Sequence, residues 1–130
     1  MGIAYWATLL EIVLLAAVAV FQLAVVFGAP LGEYCRGGQN KGALPKHLRI
    51  SSAITLLVYA AMAGHYASLV GWLPSLLDGQ GRQIVLWGLL IFSALGVLAN
   101  SATRSRKERI IFAPFSALLL AGNILILLFQ

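Results

Sequence analysis

Five acidic, amide or imidazole side chains interrupt the long apolar stretches of this chain, and they are its candidates for chemistry within a membrane. Glu11 is the only carboxylate in such a stretch. A charged group in hydrocarbon costs about 2.5–3.5 kcal/mol, so it normally faces neighbouring helices. His65 can exchange a proton near neutral pH, and a Glu11–His65 pair would form a proton or cation site. The predicted intramembrane polar site residues are Glu11, Gln22, His65, Asn100 and Asn123.

Helical spacing brings three of these side chains to similar depths. Each apolar stretch has one end that adjoins a basic loop. At the rise of about 1.5 Å per helical residue, Glu11 and His65 both lie about 25 Å from that end, and Asn123 lies about 20 Å from it. A Glu11–His65–Asn123 cluster is therefore geometrically allowed. Gln22 follows Glu11 by three helical turns and shares its face. In the alternative interpretation, Glu11 is solvated near the membrane surface and His65 is an ordinary bundle histidine.

The segment from Gly28 to Arg49 is polar and rich in glycine, and this composition suits an anion. Its glycines let the backbone expose N–H groups, and nests of such groups bind anions. The chemistry that this predicts is phosphate, on an anionic lipid headgroup or a phosphorylated substrate. A folded, charged turn is the alternative. Together with a second basic loop, the candidate anion- or lipid-binding residues are Glu33, Arg36, Lys41, Lys46, Arg49, Arg104, Arg106 and Arg109.

The few acids and the lone thiol of these loops bear on how the loops fold. We expect Glu33 to pair with an arginine, either Arg36 or one from the cluster 104–109, and so to hold the glycine-rich loop in one shape. The single Cys35 excludes an internal disulfide and is weak evidence for catalysis. No catalytic residue, metal site or cofactor is predicted.

Four apolar stretches must position these residues. Of the 130 residues, 61% are hydrophobic and 10% are charged, whereas a soluble domain carries roughly 25% charged residues. A soluble chain of this size could not bury so much apolar surface. The stretches, at about 3–27, 48–73, 84–103 and 110–129, are each long enough to cross a bilayer. We predict an all-α, polytopic membrane protein, a single domain (1–130) of four transmembrane helices in an up-down bundle.

Two local patterns concern the packing of these helices. Ala60, Gly64 and Ser68 repeat every four residues, which favours close contact with another helix of the bundle, or with a second copy of the chain. Pro114 is expected near the first turn of the fourth helix, where proline is best tolerated.

The distribution of positive charge predicts the orientation. Loops 28–49 and 104–109 carry four Lys or Arg residues each, and the loop between the second and third helices carries only Arg82. The positive-inside rule makes both basic loops cytoplasmic and both termini external. Trp6, Trp72 and Trp87 then fall at the outer ends of the helices, as in an aromatic belt. This bias accounts for the net charge of +5 without a nucleic-acid partner.

The glycine-rich loop also carries a resemblance. The segment GAPLGEY at 28–34, followed by GG at 37–38, KG at 41–42 and LP at 44–45, resembles a signature of small, uncharacterised four-helix bacterial membrane proteins. The second basic loop at 104–109, followed by Pro114, is similar to that of the same group. The resemblance implies a four-helix fold in the bacterial inner membrane, and it implies no activity.

Three functions remain open at this point. The favoured one is a non-enzymatic membrane protein whose basic cytoplasmic loops engage anionic lipid or a membrane partner, which includes a homo-oligomer. The second is a proton-linked small transporter or channel that uses Glu11 and His65. The third is a membrane enzyme acting on a phosphorylated lipid at the first loop, and it predicts a cavity lined by Glu33, Arg36 and Lys41.

Overall fold

The computed structural model describes residues 2–130, and these residues form helices, turns and loops without any strand. The four long helices are α1 (Ile3–Val26), α2 (Lys46–Leu69), α3 (Gly79–Ala102) and α4 (Arg106–Phe129). Two short 3₁₀ turns, Gly32–Tyr34 and Arg36–Gly38, lie between α1 and α2. All four helices are long and apolar enough to span a membrane. The predicted all-α, four-helix architecture is confirmed.

The ends of α2 differ from the predicted span because backbone turns determine them. The helix begins at Lys46, directly after Pro45, so Lys46 and Arg49 lie on its first turn and not in a loop. It ends at Leu69, four residues before the predicted end, since the chain then turns through Gly71 with a φ of +82°. A positive φ of this kind is easily adopted only by glycine and ends many helices.

Side-chain caps set the first residues of α3 and α4, and both helices begin earlier than predicted. An Asp78 carboxylate oxygen accepts a hydrogen bond from the Gly81 amide (2.6 Å), and Ser105 Oγ accepts one from the Glu108 amide (3.1 Å). Such bonds satisfy amides that have no partner within the helix. Because α4 begins at Arg106, Pro114 lies in its third turn and not near the first. It has no N–H to donate to the Ile110 carbonyl.

The four helices pack as two antiparallel hairpins joined through α1 and α4. Helix α1 packs against α2 and α4, and α3 packs against α4. Helices α2 and α3 are consecutive in sequence, yet they flank a cleft instead of packing along each other. The buried apolar side chains at the centre of the bundle are Ala7, Leu15, Val18, Met62, Tyr66, Leu86, Leu89 and Ile126.

The outer surface of the bundle is apolar, as expected of a membrane protein. Leu57 and Leu128 are each 70% exposed, whereas leucine side chains of a water-soluble protein are usually buried. The small-residue stripe lies on this surface as well, because Gly64 has open space around it and Ala60 is exposed. The prediction that the stripe contacts another helix of the bundle is therefore wrong. The buried face of α2 carries Ser52, Met62 and Tyr66 instead.

Candidate functional site

The glycine-rich loop lies at one end of the bundle, called here the basic end (loops 27–45 and 103–105). The opposite end, with the loop 70–78 and residues 2 and 130, is the far end. The loop is compact: the Gly32 amide donates to the Gly42 carbonyl (2.8 Å), and a Cβ on Gly32 would collide with the carbonyl of Asn40. The amides of Tyr34, Cys35 and Gly38 also donate within the loop. These four N–H groups are used internally and do not form the expected anion nest.

The loop is docked on the start of α4. Ser105 Oγ donates to the Glu33 carbonyl (2.5 Å), and the Lys107 ammonium forms an ion pair with the Glu33 carboxylate. The same ammonium lies 5.6 Å from the ring centre of Tyr34. The partner of Glu33 thus comes from the predicted cluster 104–109, but it is a lysine, so the prediction of an arginine is wrong. The hydrogen bond and the positive charge of Lys107 lower the pKa of the Glu33 carboxyl.

A cleft of about 290 Å³ extends from this loop into the bundle between α2 and α3. It is called here the basic-end cleft. Arg36 and Glu108 stand at its mouth, and residues from all four helices line it. Its polar lining consists of Gln22, Cys35, Arg36, Ser52, Thr55, Ser93, Asn100, Glu108 and Ser116. Its apolar and aromatic lining consists of Val18, Phe21, Tyr34, Tyr59, Phe92, Gly96, Phe112, Phe115 and Leu119.

Hydrogen bonds hold the polar walls of the cleft in place. Asn100 Nδ2 on α3 donates to Ser116 Oγ on α4 (2.5 Å), and thereby joins the two helices. Arg36 donates one hydrogen bond, to Ser51 Oγ on α2 (2.8 Å). A guanidinium has five N–H donors, so the Arg36 side chain keeps capacity for an anion.

The thiol of Cys35 lies half-buried in the cleft wall. It contacts the Leu31 carbonyl, with Sγ 3.3 Å from the oxygen. Burial raises the pKa of this thiol, the Glu108 carboxylate adds to the increase, and the Arg36 charge opposes it. A nucleophilic cysteine requires a lowered pKa, so the environment of Cys35 suits a structural thiol.

Of the predicted anion-binding residues, only Arg36 lines the cleft. Arg49 instead caps α1, because its Nε donates to the Val26 carbonyl (2.9 Å). Arg109 donates to the Thr103 carbonyl (3.0 Å) beside its own helix. The side chains of four others are exposed at or near the basic end: Lys41, Lys46, Arg104 and Arg106. Glu33 and Lys41 do not line the cleft, so it is not the predicted cavity lined jointly by Glu33, Arg36 and Lys41.

The carboxyl of Glu11 is a second feature, in the half of the bundle toward the far end. The residue is fully buried, and neither carboxyl oxygen has a hydrogen-bond partner. A Cβ added at Gly122 on α4 would overlap this carboxyl, so the carboxyl fills the notch that Gly122 leaves. The interpretation of Glu11 as a solvated group at the membrane surface is wrong, because α1 turns this side chain inward.

Asn123 lies beside this notch and connects three helices. It accepts a hydrogen bond from the Tyr66 hydroxyl on α2 (2.5 Å). Its amide nitrogen donates to Ser93 Oγ (3.1 Å) and to the Leu89 carbonyl (3.3 Å) on α3. The predicted partnership of Glu11, His65 and Asn123 is replaced by one of Glu11, Tyr66 and Asn123. His65 Nε2 has no hydrogen-bond partner.

Sequence reasoning missed several of these residues. Tyr66 and Gly122 were overlooked because a tyrosine and a glycine are common in membrane helices, and nothing local marks them as neighbours of Glu11. The cleft residues Ser52, Thr55 and Tyr59 do carry a signal, since their spacing puts them on one face of a helix. Ser105 and Glu108 have the spacing of a capping box, which predicts the start of α4.

The cleft and the buried carboxyl are the two features of this structure that could bind a ligand or a proton. Within residues 2–130, no group of three or more His, Cys, Asp or Glu side chains is close enough to hold a metal ion. No protein family model, curated protein or solved structure matches this chain.

Proposed function

We propose that this chain is a non-enzymatic protein of the bacterial inner membrane that binds the headgroup of an anionic lipid in the basic-end cleft. In this proposal the basic end faces the cytoplasm and both termini are external. The charge of the loops supports that orientation through the positive-inside rule. Trp6, Trp72 and Trp87 are 60%, 58% and 55% exposed near the far end, which supports an aromatic belt at the outer surface. The resemblance of the two basic loops to those of small four-helix bacterial membrane proteins supports the same location.

The observation that carries the proposal is the composition of the cleft from its mouth inward. Arg36, an exposed cation with spare donors, stands where the phosphate of an inner-leaflet lipid would lie. Deeper in the cleft, neutral hydroxyl groups such as Ser52 and Thr55 offer hydrogen bonds without charge. The cleft is flanked by α2 and α3, which do not pack along each other, so a lipid can enter sideways from the bilayer.

The size of the cleft limits what it encloses. Its volume of about 290 Å³ lies at the lower end of the range for ligand pockets, roughly 300–1,000 Å³. It therefore has room for a headgroup, and the acyl chains remain in the surrounding bilayer. Aromatic side chains on the cleft walls, such as Phe92 and Phe112, suit the glycerol and upper chain region.

Two features favour binding over catalysis at this site. The Cys35 thiol has a raised pKa and is a poor nucleophile. The Glu33 carboxylate is engaged by Lys107 and does not line the cleft. A lipid enzyme would need an activated group directed at the headgroup, and these two candidates do not provide it.

The test compares two arginine variants that lose the same charge. The protein is exchanged into nanodiscs containing phosphatidylglycerol and phosphatidylcholine, and retained lipid is measured by native mass spectrometry after detergent extraction. We expect Arg36→Gln to weaken phosphatidylglycerol retention roughly tenfold, the effect of losing one charge-assisted hydrogen bond. Arg106→Gln, which leaves the cleft intact, should retain the lipid almost as the wild type does.

Two outcomes would contradict the proposal. An equal loss in both variants would mean that the lipid responds only to the charge of the basic end. Unchanged retention in Arg36→Gln would mean that the cleft does not hold the phosphate. A similar retention of phosphatidylcholine and phosphatidylglycerol by the wild type would also count against an anionic ligand.

A further inference from the structure

The buried carboxyl of Glu11 has no positively charged partner that would stabilise a negative charge. Both of its oxygens lack a hydrogen-bond partner, and the residue has no exposed surface. The Tyr66 hydroxyl lies beside the carboxyl, but its proton is donated to Asn123. The amide nitrogen of Asn123 is likewise used, on Ser93 and Leu89. An isolated carboxylate in such surroundings would carry a large desolvation cost, which the neutral acid avoids.

No positive charge on the packed helices offsets this cost. On α1 the only other titratable group is Tyr5, nearly two turns away toward the far end. On α2 the titratable neighbours are Tyr66 and His65, and the Nε2 of His65 bonds to nothing. Around Gly122, α4 has no titratable side chain, because its charged residues lie within its first turn. The nearest positive charge on α3 is Arg82, which lines the far-end pocket together with Ala4 and Thr8 of α1 and does not contact the Glu11 carboxyl.

Toward the far end, the face of α1 that carries Glu11 leads to a pocket. A pocket of about 250 Å³ at the far end is lined by Ala4 and Thr8, and it is large enough to hold water. Thr8 lies one helical turn from Glu11 on the same face of α1. Toward the basic end, the next residues on that face are Leu15 and Val18, which are 1% and 4% exposed. On α1, Leu15 separates Glu11 from the basic-end cleft, which Val18 itself lines. The hydrogen bonds from Tyr66 through Asn123 to Ser93 also reach the cleft, but the Asn123 amide does not ionise near neutral pH and so does not relay a proton.

We propose that Glu11 is a proton-binding site in the core of the bundle, in exchange with the far-end pocket and closed toward the basic end. A hydronium ion in the pocket supplies the proton, which adds to a carboxylate oxygen, and water remains. In the packed bundle the acid is neutral and rests in the notch at Gly122. The site lies in the other half of the molecule from the lipid cleft and does not depend on the proposed function.

Infrared spectroscopy tests the protonation directly, since a protonated carboxylic acid and a carboxylate absorb at different frequencies. Spectra of the full chain at neutral pH in dodecyl maltoside, a detergent without carbonyl groups, are compared for the wild type, Glu11→Gln and the control Glu33→Gln. We expect Glu11→Gln to lose the carbonyl band of a protonated acid, and Glu33→Gln to lose a carboxylate band. Loss of a carboxylate band in Glu11→Gln would overturn the proposal.

The wild type alone gives the same answer if Glu11→Gln does not fold. The other acids, Glu33, Asp78 and Glu108, are not buried, so a protonated-acid band at neutral pH can come only from Glu11. Absence of that band would overturn the proposal. Its disappearance on adding sodium ions would also do so, because the site would then bind a metal cation instead of a proton.

Deuterium exchange tests the route. Transfer into D₂O shifts the acid band as the proton is replaced, and the rate of that shift reports access. We expect Ala4→Leu, which fills the far-end pocket, to slow the shift at least several-fold. Thr55→Leu, which fills the basic-end cleft to a similar extent, should leave the rate unchanged. A slower shift in Thr55→Leu only, or in neither variant, would overturn the one-sided route.

Discussion

Single polar side chains hold together parts of this protein that are distant in sequence. Glu33 in the first loop pairs with Lys107 on α4, and Ser105 bonds the carbonyl of the same glutamate. In the other half of the bundle, Asn123 joins α2 to α3 through Tyr66 and Ser93. Each of these residues is ordinary by type, and its importance comes from the partner that the fold supplies.

The Glu33–Lys107 pair predicts a pH-dependent loop. Its effect should be on loop order more than on stability, because the pair is exposed to solvent. Lys107 lowers the pKa of Glu33, so the pair contributes above the carboxyl's ordinary pKa and is lost as the pH falls through the lowered value. We expect Glu33→Gln to speed cleavage of the loop by trypsin at neutral pH, measured by mass spectrometry.

Asp78→Asn is the matched control, since it removes a carboxylate from an exposed loop at the far end. It should leave cleavage within residues 28–45 unchanged. If Glu33→Gln and the wild type are cut at the same rate, the ion pair does not order the loop. The glycine-rich segment is then held by its backbone hydrogen bonds alone.

At the scale of helices, the contact between α1 and α4 depends on one glycine. The carboxyl of Glu11 occupies the space that a Cβ at Gly122 would need. Glycine is therefore required here for close approach and not for a special backbone angle. The pairing of a large polar residue with the smallest one lets the two helices pack with the acid between them.

This contact predicts that two glycine-to-alanine substitutions differ greatly in their effect on the stability of the bundle. Gly122→Ala should destabilise the bundle by about 1–3 kcal/mol, the usual cost of overpacking a core. Gly64→Ala adds the same methyl group where nothing lies within 4 Å, so it should be neutral or slightly stabilising through helix propensity. Unfolding of both variants in detergent, followed by circular dichroism, measures the difference.

A third variant shows whether the cost arises at Glu11. In a Glu11→Ala background, Gly122→Ala should cost much less, because the carboxyl that it meets is gone. If the cost is the same with and without Glu11, another contact of α4 is responsible. Equal stability of Gly122→Ala and Gly64→Ala would show that the notch is not tightly filled.

At the scale of the whole molecule, the two ends differ in charge and in the residues they offer to the membrane. The basic end and the adjoining first turns of α2 and α4 carry eight of the nine Lys and Arg residues, and the three tryptophans lie toward the far end. The cleft opens at the basic end, and the pocket near Glu11 opens at the far end. The proposed lipid site and the proposed proton site therefore face opposite sides of the membrane.

Cysteine labelling checks the orientation that the proposed function uses. Cys35 is half-buried and has a raised pKa, so it is a poor reporter and is first replaced by alanine. In that background, Ser75→Cys at the far end should react with a membrane-impermeant maleimide in intact cells. Lys41→Cys at the basic end should react only after the cells are permeabilised. The reverse pattern would place the basic end outside and contradict the positive-inside assignment.

The sequence by itself determined the fold class and the number of helices. Hydropathy and length are properties of consecutive residues, so they identify four membrane-length helices without knowledge of their packing. The ends of the helices were predicted less accurately than their number. The caps at Asp78 and Ser105 and the turn at Gly71 place the helix ends several residues from their predicted positions. Pro114 consequently lies deeper in α4 than predicted.

Only the tertiary structure decided which polar groups meet. Depth counting put Glu11, His65 and Asn123 at similar levels, but depth does not give the rotation of each helix about its axis. That rotation turns Tyr66 and not His65 toward Asn123, and it sets Gly122 against Glu11. It depends on how all the side chains interlock across helices, which no local stretch of sequence encodes. The cleft between α2 and α3 also depends on the packing of the whole bundle, because it forms where these two helices do not pack along each other.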